Sequence, residues 1–319
     1  MSKLGLALGA GGARGWCHIG ALKAMRDMGV EPDVVAGCSI GALVGAAWAG
    51  GKLDALEEWS RGLTQAKFLQ YLDLRMAGGG FVEGKAVAQL LSDIGLPERI
   101  EDLDKPYLAV ACDMATGREV WLHEGNLADA VRASVSIPGI FTPTKVRGRW
   151  LLDGGLINPV PSSAVRALGA DCCIAINPDA PPEDGVLWEP QDRPGLWDKM
   201  GVSSLRNALP AQLAGVLPEG GRREPTPAYG EVLSVSIGIM MEFMRKAREA
   251  ADPPDLTIKG ELVHISILEL YRAAEAIDIG AAMTRERADR IIALAQRSCG
   301  VLEDPAQPFT APPESIAAE

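Results

Sequence analysis

Leu4-Gly5-Leu6-Ala7-Leu8 runs straight into Gly9-Ala10-Gly11-Gly12-Ala13-Arg14-Gly15, and Val34-Val35-Ala36 runs straight into Gly37-Cys38-Ser39-Ile40-Gly41. Each is a short, uninterrupted apolar run closed by glycines. Continuous runs of this kind, as opposed to alternating ones, mark strands covered on both faces. Between them Ile19, Leu22, Met25 and Met28 follow a helical rhythm until Gly29 stops it, and Ala42 to Ala49 starts a second helix directly after Gly41. Two strand–turn–helix units in succession imply a parallel sheet with right-handed crossovers. Both turns then fall at the carboxyl edge of the strands, where such sheets bind their ligands.

Further along, strands fit Tyr107 to Cys112, Val120 to His123, Trp150 to Asp153, Cys172 to Asn177 and Leu256 to Ile258. Helices fit Asp54 to Leu63, Gly84 to Gly95, Leu127 to Ser134, Ser162 to Leu168, Glu231 to Ala250 and, with one break, Leu268 to Ala295. From Pro181 to Gly230 the texture changes, with eight prolines and seven glycines. These interrupt regular structure, so the stretch reads as a lid, an interface or a disordered insertion. Trp188 and Trp197 within it suit an interfacial anchor or lid, and equally a cover for the core or a dimer contact. The four prolines from Glu303 onward mark a disordered tail. The expected organisation is one α/β domain over 1–302, carrying the 181–230 insertion and a C-terminal helical section, with 303–319 as the tail.

The chain has 319 residues, 47% of them hydrophobic and 23% charged, which is enough to bury a substantial core. Its net charge of −11 argues against nucleic-acid binding, which needs clustered cations, and against long-range attraction to anionic lipid. Six cysteines with no C-x-x-C pair suggest reduced thiols and no metal site. The N-terminus lacks the pattern of a secretion signal, and no apolar run approaches the ~20 residues of a membrane span. A cytoplasmic protein is expected, with peripheral contact at the inner membrane surface and homo-oligomerisation both left open.

Three features carry chemistry. Gly37-Cys38-Ser39-Ile40-Gly41 matches G-x-S-x-G between an apolar strand and a small-residue helix, the setting in which a serine sits on a strained turn. Gly9 to Gly15 is a glycine loop whose amides suit an oxyanion or a phosphate. The dinucleotide fingerprint G-x-G-x-x-G fails, since Arg14 stands at its sixth position, and no Gly-Lys-Ser/Thr follows for a P-loop. A nucleotide site therefore ranks third. Trp150-Leu151-Leu152-Asp153-Gly154-Gly155 ends an apolar strand in an aspartate placed to accept a proton. Taken alone, the first and last of these also suit an ordinary helix-capping serine and a turn aspartate.

Together these residues resemble the patatin-like phospholipases. Ala10 to Gly15 is similar to the family's oxyanion motif, Gly37 to Gly41 to its nucleophile elbow, and Asp153-Gly154-Gly155 to its D-G-[GA] motif. Ser134 to Gly139 and Asn158 to Pro161 resemble further family segments, and the likeness is greatest to the bacterial RssA-type subgroup. One departure is Ala10, where many members carry a glycine. The resemblance implies a three-layer α/β/α fold and hydrolysis of lipid or lysophospholipid esters without metal or other cofactor. It implies Ser39 as nucleophile, Asp153 as its proton acceptor, and Gly11 and Gly12, aided by Arg14, as the oxyanion hole. Gly15, Gly37, Gly41, Gly154 and Gly155 would support these motifs.

Two rivals stay open at this point. The order Ser39, Asp153, His264 is that of an α/β-hydrolase triad, although the elbow arrives too early in the chain for that fold. A regulatory or protein-interaction role on the same scaffold, with little hydrolysis, is the second.

Overall fold

The structure, a computed structural model, describes residues 2–65, 85–178 and 229–298. Its strands are β1 (Leu4–Leu8), β2 (Val34–Cys38), β3 (Tyr107–Asp113), β4 (Glu119–Leu122), β5 (Thr144–Val146), β6 (Arg149–Asp153), β7 (Cys172–Asn177) and β8 (Leu256–Lys259). Its helices are α1 (Cys17–Asp27), α2 (Ile40–Ala49), α3 (Leu53–Arg61), α4 (Lys85–Asp93), α5 (Leu127–Ser134), α6 (Ser162–Ala167), α7 (Tyr229–Ala251), α8 (Ala273–Arg285) and α9 (Ala288–Ser298). The strands form one sheet in the order β5-β6-β3-β2-β1-β7-β8, with β4 also paired to β3.

From β8 to β3 every pairing is parallel, as the two opening strand–turn–helix units require. Every residue of β1, β2 and β3 is buried, which is why these strands are continuously apolar or small. Leu4, Leu6 and Leu8 enter one core with α1, α2, α5 and α8. Ala7, with Val34, Ala36 and Cys38, enters a second core on the opposite face with Ala164 and Val165 of α6 and Met241 of α7. The sheet is thus the middle of three layers. On the first face α1 and α8 cross closely. A β-carbon at Gly20 would lie 1.9 Å from the Ile277 carbonyl, and one at Gly280 would lie 2.0 Å from that of Cys17. In the C-terminal section, α8 thus shares the core of the sheet's first face.

The far side of the sheet departs from the parallel pattern. β6 and β4 both run antiparallel to β3, and β5, a strand without a sequence signal, pairs antiparallel with β6. The expected Leu268–Ala295 helix begins only at Ala273, after a single 3-10 turn over Leu270–Arg272, and breaks between Arg285 and Ala288. The Pro181–Gly230 insertion up to residue 228, its Trp188 and Trp197, and the 303–319 tail lie outside the described residues.

Candidate active site

Val110 of β3 pairs with Cys38 on β2 and with Trp121 on β4. The next residue, Ala111, pairs with Asp153 on β6 and with Val120 on β4. Since β4 occupies one edge of β3, β2 and β6 must share the other. They meet there end to end, with their carboxyl termini facing each other. Ser39, the residue after β2, and Asp153, the last of β6, are therefore brought together by sheet register alone. The Ser39 hydroxyl donates a 2.6 Å hydrogen bond to Asp153 Oδ2. Both residues are buried.

Ser39 has φ 56° and ψ −125°, a left-handed conformation that a non-glycine residue holds only at a cost of about 1–3 kcal/mol. The turn is tight because glycines allow it. A β-carbon at Gly37 would stand 2.3 Å from the Gly41 carbonyl, and one at Gly41 would stand 2.2 Å from the Leu8 carbonyl. The second contact also presses the elbow against the start of the glycine loop. Ile40 packs on Gly15 of the same loop, leaving no room for a side chain there.

The loop's own amides divide into two sets. Gly9 N–H donates to the Ile176 carbonyl, Ala10 to Pro159, Ala13 to Ile267 and Arg14 to Gly11. Among the described residues the amides of Gly11 and Gly12 have no acceptor, which leaves both free to donate. Gly12 takes φ +55°, and a β-carbon on it would strike the Ile267 carbonyl at 2.4 Å. Arg14 ties the loop to the C-terminal section through its guanidinium. Its Nε donates to the Ile265 carbonyl at 2.7 Å and its Nη2 to that of Val263 at 3.4 Å. The Ala10 methyl is tolerated, lying next to Gly155 and otherwise buried.

Around Asp153 the environment is dry. Oδ1 accepts the Gly155 amide at 2.7 Å, and Oδ2 accepts Ser39. Burial outweighs both bonds and pushes the carboxyl up from 3.8 to about 7. Gly154 fits against the Val110 carbonyl, 2.3 Å from where its β-carbon would be, and Met241 of α7 closes over Gly155. Behind them Arg248 of α7 donates to the Ile157 carbonyl and pairs with Glu119, which in turn accepts Asn158 Nδ2 at 2.8 Å. This brace holds the chain that leaves the aspartate.

His264 is not part of this cluster. It bonds Glu275 at 2.9 Å, with both side chains largely exposed, and its carbonyl accepts Arg272. The Ser–Asp–His alternative therefore has no histidine at the site. His18, by its place in the sequence a helix residue near the glycine loop, is fully buried with Nε2 2.8 Å from the Gly9 carbonyl. Burial lowers its pKa to about 4, so it is neutral and its Nε2–H donates. Ser134 and Ser136 acquire partners beside Ser39 and Asp153 that only the fold reveals. Among the described residues no cluster of three or more His, Cys, Asp or Glu side chains is arranged to hold a metal ion.

Comparison with known proteins converges on one family. The patatin-like phospholipase family model matches residues 6–165, a span that holds the glycine loop, Ser39 and Asp153. An uncharacterized NTE family protein of Mycobacterium bovis is 31% identical over 328 residues, covering 89% of this chain and 91% of the relative. Neuropathy target esterase sws of Drosophila melanogaster is 35% identical over 203 residues, 61% of this chain but only 14% of that protein. Patatin-like phospholipase domain-containing protein 6 of Homo sapiens is 33% identical over 201 residues, again 61% of this chain and 14% of the relative. Among solved structures, VipD from Legionella pneumophila aligns over 91% of this chain and 67% of its own, at a TM-score of 0.45 and 14% identity. With the motif-bearing span matched and one relative aligned along nearly its whole length, the chain belongs to the patatin-like phospholipase family.

Proposed function

We propose that this protein hydrolyses acyl esters of lipids or lysophospholipids through a Ser39–Asp153 dyad and an acyl-serine intermediate. The observation that carries the reading is the buried 2.6 Å bond from the Ser39 hydroxyl to Asp153 Oδ2 on a strained elbow. Ser39 Oγ attacks the ester carbonyl while its proton passes to Asp153 Oδ2. The carbonyl oxygen becomes an oxyanion facing the unpaired amides of Gly11 and Gly12. As the tetrahedral species collapses, Asp153 returns the proton to the departing alcohol, leaving Ser39 acylated. Water then repeats the sequence, giving its proton to Asp153 and releasing the fatty acid. An ordinary aspartate is too weak a base for this work near neutral pH. One held near 7 by burial has the affinity the step needs.

Among the described residues no helix is long and apolar enough to cross a membrane. The substrate would thus be met as dispersed molecules or by peripheral contact with a lipid surface. The reading takes 1–302 as one catalytic domain. Its test is a panel of p-nitrophenyl esters and lysophospholipids of graded chain length, given to the parent protein and to Ser39→Ala. Turnover that disappears in Ser39→Ala supports it. A parent protein inert on every member of the panel rejects it in favour of the regulatory reading.

A further inference from the structure

The end of α5 and the residues just after it bond to both Ser39 and Asp153. Ser134, the last residue of α5, is fully buried. Its Oγ accepts the backbone N–H of Ser39 at 2.9 Å and donates to the Val110 carbonyl at 2.6 Å. Two residues on, the Ser136 carbonyl accepts the backbone N–H of Asp153 at 3.0 Å. The Ser136 hydroxyl is held in turn, donating to the Arg132 carbonyl and sitting 3.1 Å from Thr144 Oγ1 on β5.

Sheet geometry explains why such a device is needed. β2 stays in register with β3 only as far as Cys38, opposite Val110. At Ser39 the backbone swings into its left-handed conformation, so its N–H leaves the ladder. A buried N–H without an acceptor is costly. The Ser134 hydroxyl fills the gap as a one-atom relay between that amide and the β3 carbonyl. β6 arrives at the same junction from the opposite direction, and its last amide is received two residues along by the same short segment. Nucleophile and aspartate are thus hung from one short, hydrogen-bonded piece of backbone.

We propose that Ser134 is a positioning residue of the dyad, and that the Ser134–Ser136 segment sets the separation between Ser39 Oγ and Asp153 Oδ2. The inference rests on the reading of Ser39 as the nucleophile. Its consequence is kinetic. Loss of the Ser134 hydroxyl leaves the substrate's binding surface in place but lets the attacking oxygen drift, so kcat falls while KM holds. Misplacement of reacting groups by a fraction of an ångström to an ångström costs on the order of tenfold to a hundredfold.

The experiment compares the parent with Ser134→Ala and Ser134→Thr on p-nitrophenyl butyrate, with fluorophosphonate labelling of Ser39 measured alongside. Expected are a kcat about tenfold or more below the parent in Ser134→Ala, with KM within about twofold, slower labelling, and recovery to within about threefold in Ser134→Thr, which keeps the hydroxyl. If Ser134→Ala does not fold, Ser134→Cys, close in volume and a weak hydrogen-bonding group, carries the same expectation. A kcat in the hydroxyl-free variant within about threefold of the parent overturns the inference, whatever the melting temperature does, and so does a Thr variant as impaired as Ala. A parent protein that does not label at Ser39 overturns the catalytic reading itself, which separates the two failures.

Discussion

The Ser39 hydroxyl and the Asp153 carboxylate, 114 residues apart in sequence, share a buried 2.6 Å hydrogen bond. They do so because β2 and β6 end against each other along one edge of β3, opposite consecutive residues Val110 and Ala111. The pair is thus a product of β6 running antiparallel along the same edge of β3 that β2 follows in parallel. Each consequence below follows from that junction or from what surrounds it.

Activity should depend on pH with an acid limb near 7. Asp153 must be ionised to accept the Ser39 proton, and burial holds its pKa at about 7. A kcat/KM profile on a soluble ester should rise as pH increases through that value and level off above it. A limb near 4, the ordinary carboxylate range, would mean that Asp153 is not the base.

Asp153→Asn should be inactive yet more heat-resistant than the parent at pH 8. Unfolded, the carboxyl ionises near 3.8; folded, it keeps its proton until about 7. The folded state therefore binds the extra proton, and the group's contribution to stability is lost as pH rises from 3.8 through about 7. The neutral amide removes that penalty, on the order of a few kcal/mol, and it retains an oxygen for the Gly155 amide. Scanning calorimetry at pH 8 and at pH 4 should show the gain at the higher pH only.

Arg14→Lys should behave like Arg14→Ala. The guanidinium ties the glycine loop to two backbone carbonyls of the C-terminal section, a geometry that an ammonium does not reproduce. Both variants should melt lower and lose activity together. Restoration of turnover by lysine would show instead that the charge at this position serves the oxyanion.

His264→Ala should keep kcat within about twofold of the parent, since an exposed pair such as His264–Glu275 contributes about 0–1 kcal/mol and lies off the site. Abolished turnover in a folded His264→Ala protein would revive the three-residue triad.

Gly41→Ala should be poorly folded. Its β-carbon would stand 2.2 Å from the Leu8 carbonyl, a backbone atom of a buried strand that cannot give way. A penalty of about 2 kcal/mol or more is expected, read as a lowered melting temperature and proteolysis of the elbow.

The half of the fold made of β1, β2 and β3 was legible because these strands are buried on both faces and so write themselves as unbroken apolar runs. β5 was not, since Thr144-Lys145-Val146 is three residues with one aliphatic side chain and no period to detect. The direction of β6 was equally hidden, because a strand's sequence does not say whether its neighbour runs with it. At the site, Ser39, Asp153 and the glycines could be picked out since their chemistry depends on local backbone shape. What Ser134 and His18 touch could not: the Ser134–Gly139 segment stands out only by its family resemblance, and tertiary contacts alone bring Ser134 to the Ser39 N–H and His18 to the Gly9 carbonyl. The acceptors of Arg14 were equally hidden, because Val263 and Ile265 lie some 250 residues away.

The most direct test of the dyad is covalent labelling by a fluorophosphonate, followed by peptide mass spectrometry, in the parent and Asp153→Asn. The expected result is one adduct, on Ser39, formed more slowly as pH falls below about 7 and slower by about a hundredfold or more in Asp153→Asn. A parent protein that takes no label on Ser39, or an Asp153→Asn protein labelled there at the parental rate, would contradict it.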